Sequence, residues 1–65
     1  MISEIDIWRA AVVMMKRYGD DAPIESGKRA DELANAGDNA GAAIWRRIED
    51  AVEKLASTTP AGAVH

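Results

Sequence analysis

The chain has no cysteine, no phenylalanine, a single histidine and two prolines, and its aromatic content is 5%. Without cysteine no disulfide can staple the fold and no thiolate can hold a metal, and such usage fits a reducing compartment. No apolar run approaches the ~18 residues a membrane crossing needs. Residues Met1 to Arg9 carry Glu4 and Asp6 where a signal peptide carries lysines. These absences predict a cytoplasmic protein with no membrane association. At 65 residues there is room for one domain, and the formal net charge of −3 disfavours non-specific contact with nucleic acid or an anionic surface.

What is present is apolar but small. Of the 48% of residues in the apolar set, 13 are alanine, so the core has few large side chains to work with. Below ~70 to 80 residues a core rarely supplies more than ~3–5 kcal/mol unaided. Well-formed helices, close packing through small residues, and self-association are the remaining routes to stability.

Glycine and aspartate punctuate the chain at Gly19-Asp20-Asp21 and Gly37-Asp38-Asn39, and the stretches between have helical periodicity. The pattern predicts an all-α protein, a three-helix bundle with helices over about 4–18, 22–36 and 39–56. Ser3, with Asp6 three residues on, is the expected N-cap of the first helix, and Gly19 its left-handed close. Asp21 is the expected cap of the second, with Pro23 in its first turn, Glu25 pairing with Arg29, and Gly37 at its end. Ser57-Thr58-Thr59-Pro60 stops the third. Residues 1–57 thus read as a single domain and 58–65 as a flexible tail.

On a helical wheel the third helix gathers Ile44, Trp45, Ile48, Ala51, Val52, Leu55 and Ala56 within about 140°, opposite Arg46, Arg47, Asp50, Glu53 and Lys54. Pairs Arg46/Asp50 and Asp50/Lys54 have i, i+4 spacing. The first helix spreads its apolar residues over roughly 220°, more than two partner helices readily cover. The second offers Gly27, Ala30, Leu33 and Ala34, small enough for a neighbouring backbone to come close. Ile7-Trp8-Arg9 and Ile44-Trp45-Arg46 echo one another, and both tryptophans fall on the apolar arcs as core anchors.

Chemistry-bearing constellations are few. Nucleophilic catalysis needs a base within reach of a serine, and the one histidine, His65, falls at the last position of the expected tail, so no triad can be assembled. Asp20, Asp21 and Glu25 form the only acidic cluster, without the spacing of a calcium loop, and are better read as capping and solvating a turn. Gly37 to Gly41 lacks the strand and the lysine of a phosphate-binding loop, leaving close approach of the second helix as the simplest use for Gly41. A helix-turn-helix reading would employ Asn39, Arg46 and Arg47, but Asp38, Glu49, Asp50 and Glu53 interleave acids among the arginines. Arg29, Asp31, Asp38, Arg46 and Arg47 flank the second turn and suggest an ion-pair network fixing the second and third helices. No catalytic residue, cofactor or metal is implied, and no small-molecule substrate.

Four segments together resemble a widespread family of short, uncharacterised alphaproteobacterial proteins classed as a domain of unknown function. They are Trp8-Arg9-Ala10-Ala11, Arg17-Tyr18-Gly19-Asp20-Asp21-Ala22, Arg29-Ala30-Asp31-Glu32-Leu33, and Gly37-Asp38 through Gly41 to Trp45, Arg47 and Ile48. The resemblance covers about residues 5 to 55 and implies a compact helical protein; it supplies no activity.

The resulting expectation is a non-enzymatic protein-interaction module whose surplus apolar surface on the first helix binds a protein partner or a second copy of the chain. Ile7, Val13 and Met14 are the residues expected at that surface, Val13 because it sits on the otherwise polar side and methionine because it suits adaptable contacts. A small DNA-associated regulatory protein is the alternative.

Overall fold

The computed structural model describes residues 2–57, and these are helical with no strand among them. Helix α1 spans Glu4–Tyr18, a 3₁₀ turn covers Gly19–Asp21, α2 spans Ala22–Asn35 and α3 spans Asn39–Ser57. The expected tail at 58–65, with His65, lies outside the described residues.

The helix ends follow from local hydrogen bonding. At the start of α1 the Asp6 N–H donates to the Ser3 hydroxyl oxygen at 3.4 Å, and the Ser3 hydroxyl donates to Asp6 Oδ2 at 3.0 Å. The two side chains brace one another, and Asp6 also places negative charge at the positive end of the helix. Gly19, at φ 57°, ends α1 with its N–H on the Met15 carbonyl.

Asp21 does not cap α2 with its side chain. The 3₁₀ turn leads straight into α2 and leaves Asp21 in helical backbone geometry, φ −86° and ψ −2°, whereas an N-cap carboxylate needs an extended backbone to reach back to the first-turn amides. Pro23 stands in the first turn as expected.

The link from α2 to α3 is closed by a set of local hydrogen bonds. The Asp38 N–H donates to the Leu33 carbonyl at 2.8 Å and the Gly37 N–H to the Ala34 carbonyl at 3.0 Å, with Gly37 at φ 87°. That is a Schellman ending. The Asp38 side chain then accepts from the Gly41 N–H at 2.9 Å and its carbonyl accepts from Ala42 at 3.0 Å. One residue closes α2 and opens α3. A β-carbon on Gly41 would strike the Asp38 carboxylate. Gly41 therefore makes room for the cap of its own helix, not for α2.

Gly27 is where α2 faces α3: an added β-carbon would sit 3.0 Å from Glu49 Oε2, the far end of a side chain that can swing aside. With Asp31 meeting Arg46 further along, α2 and α3 run antiparallel. Ser26, Ala30 and Ala42 are buried.

Helix α1 contributes Ile7, Ala11 and Met14 to the core cluster, with Ala22 from α2 and Ile48, Ala51 and Val52 from α3. Trp8, Met15, Ile44, Trp45 and Leu55 pack around it half-buried. The α3 arc is oriented as its periodicity predicts, save that Ala56 is exposed. Among the described residues no side chain larger than valine is completely buried, in keeping with the high alanine count.

Candidate functional site

Of the three residues expected on the binding surface of α1, only Val13 is there. Ile7 is 4% and Met14 8% exposed, both turned into the core, while Val13 is 51% exposed. The reason is helical phase: Ile7, Ala11 and Met14 recur at i, i+4, i+7 and form the stripe that faces α3. The large apolar residues that α1 leaves outside are Ile5 and Val12, seven apart on one stripe, Val13 beside them, and Tyr18 at the end of the helix on another side. Arg9 and Lys16 lie on that outer face too, both exposed. Their spacing with Ile5 and Val12 was the available clue, since an apolar stripe interrupted by two cations rarely faces a core. The face is also polarised along its length: Glu4 and Asp6 occupy the first turn of α1, Lys16 and Arg17 its last.

The constellation around the second turn separates into distinct places. Arg46 crosses to Asp31, Nη2 to Oδ1 at 3.0 Å, and is the one member pair that ties α2 to α3. Arg29 joins Glu32 on its own helix at 3.6 Å and lies 5.9 Å from the centre of the Trp45 ring. Asp38 is committed to its cap. Arg47 borders a shallow depression of about 150 Å³ together with Glu4 and Asp50. Glu25 pairs with Lys28 at 3.6 Å, not with the expected Arg29. Each of these ion pairs is substantially exposed, so each orients side chains more than it stabilises the fold.

A larger open groove, about 500 Å³, runs between α1 and α2. Ala10, Val13, Met14, Arg17 and Tyr18 form its α1 wall. Glu25, Lys28, Arg29 and Glu32 form the α2 wall, with Trp45 of α3 beneath. Both walls have i, i+3, i+4, i+7 spacing, so each is one helical stripe. The sequence contains both stripes; what it does not contain is their juxtaposition.

Among the described residues no group of three histidine, cysteine or acidic side chains is placed to hold a metal ion. No helix there is long and apolar enough to cross a membrane. No family model matches the chain, and neither the curated proteins nor the solved structures yield a match.

Proposed function

We propose that α1, α2 and α3 form one three-helix bundle over residues 1–57 and that this bundle is a non-enzymatic protein-interaction module, which self-associates through the outward face of α1. The observation that carries the reading is the exposure of Ile5 at 59%, Val13 at 51% and Val12 at 41% on a helix whose other face already fills the core. Apolar side chains gathered on one exposed helical face gain by being covered.

Charge favours a second copy as the cover. Two α1 helices packed antiparallel about a two-fold axis bring the acidic start of each against the basic end of the other. They also oppose their helix dipoles. Arg9 and Lys16 can lay their aliphatic stems over the apolar contact and keep their charges at its rim. One helix face lies at the small end of interface sizes, so the dimer is expected to be weak, with a dissociation constant on the order of 100 µM.

Sedimentation equilibrium over a concentration series tests this. The weight-average mass of the wild-type chain should rise toward twice the 7.0 kDa of the monomer, while Val12→Glu should hold it at the monomer value. A wild-type mass that stays at one chain at millimolar concentration removes the self-association. Kinship with the short alphaproteobacterial family belongs to the same proposal and rests on the four segments that suggested it.

A further inference from the structure

The groove between α1 and α2 lies beside the self-associating face and has a different chemistry. We propose that it binds a small amphipathic carboxylate, whose apolar ring or branched body rests on Met14 and Trp45 while its carboxylate meets Arg17. Its volume of about 500 Å³ falls in the range of small-molecule sites. Its α1 wall, from Ala10 to Tyr18, is about 12 Å long, the length of a ring with a short acid side chain and too short for an extended peptide to gain much.

The floor and the rim divide the work. The half-buried Trp45 presents aromatic surface in the groove, the mostly buried Met14 adds only its edge, and the exposed Val13 and Tyr18 supply the rest of the apolar lining. The Arg29 guanidinium carbon, 5.9 Å from the Trp45 ring centre, brings a cation to the same aromatic surface. At the rim, Arg17 has no ion pair among the described residues, whereas Lys28 and Arg29 are engaged with Glu25 and Glu32 in loose, exposed pairs at 3.6 Å. Three cations against two carboxylates leave one positive charge uncompensated, which selects a monoanion. The two glutamates would repel a second negative group.

The test follows Trp45. Trp8→Phe leaves Trp45 as the sole tryptophan, and its fluorescence is titrated with phenylacetate and with the neutral phenylacetamide, on dilute protein. In parallel the Trp45 indole resonance of the wild-type chain is followed by NMR, which covers a failure of Trp8→Phe to fold. The acid should give a saturable change with a dissociation constant of about 1 mM, and the amide should bind at least about tenfold more weakly. Arg17→Gln, an exposed change that leaves the far-ultraviolet dichroism intact, should weaken the acid at least about fivefold. Equal binding of acid and amide, an unchanged affinity in Arg17→Gln, or no saturable change up to about 10 mM in the wild-type spectrum would overturn the proposal.

Discussion

Against the rest of the molecule α1 places Ile7, Ala11 and Met14, whereas α2 places Ser26, Gly27 and Ala30. The first surface gains its free energy from the apolar area it removes from water. The second has little such area. It relies on close approach, a tight hydrogen-bonded link to α3 and one bridging ion pair, Arg46 to Asp31. Two helices of nearly equal length are thus held by different means, and they should fail under opposite kinds of mutation.

Truncation should hurt α1 most. Ile7→Ala removes one of the few large buried side chains and should cost about 2–4 kcal/mol in chemical denaturation, enough to unfold much of the protein given how small the core is. Enlargement should hurt α2. Ala30 is completely buried, and Ala30→Leu should cost about 1–3 kcal/mol because the closely apposed helices must separate to admit it. An Ile7→Ala cost below about 1 kcal/mol would show that α1 is not held by apolar burial, and an Ala30→Leu change without cost would show that α2 is not held by close packing.

A third change sharpens the contrast from the opposite direction. The Ser26 hydroxyl is buried without a hydrogen-bond partner, so Ser26→Ala should stabilise the protein by about 0.5–1 kcal/mol, read as a raised melting temperature. A loss instead would mean that the hydroxyl is satisfied in solution and that α2 holds to α3 partly through it.

The helix boundaries were legible because the chain punctuates them with residues of fixed conformational role. Ser3, Gly19 and Gly37 each stand at an end, and α1 runs over the range its periodicity predicts. Asp21 was not legible, because a sequence shows a capping residue type but not whether the backbone before it is extended or already turning. Gly41 misled for a related reason: a glycine announces crowding without saying by what, and the neighbour is Asp38, three residues away, not α2. On α1 the excess of apolar residues was visible but its division was not. A wide apolar arc leaves open which third faces α3, and the side taken by Ile7 and Met14 left Ile5, Val12 and Val13 outside. The groove was beyond sequence reading, since it depends on how two stripes from different helices lie beside Trp45.

Charge reversal gives the most direct test of the self-associating face. One variant carries Glu4→Lys with Asp6→Lys, so both ends of its α1 are basic; the other carries Lys16→Glu with Arg17→Glu, so both ends are acidic. Measured by sedimentation equilibrium, each alone should remain a monomer, and an equimolar mixture should associate to twice the chain mass, because antiparallel packing then pairs opposite charges at both ends. Self-association of either variant as strong as the wild type, or a mixture that stays monomeric, would contradict antiparallel pairing through α1.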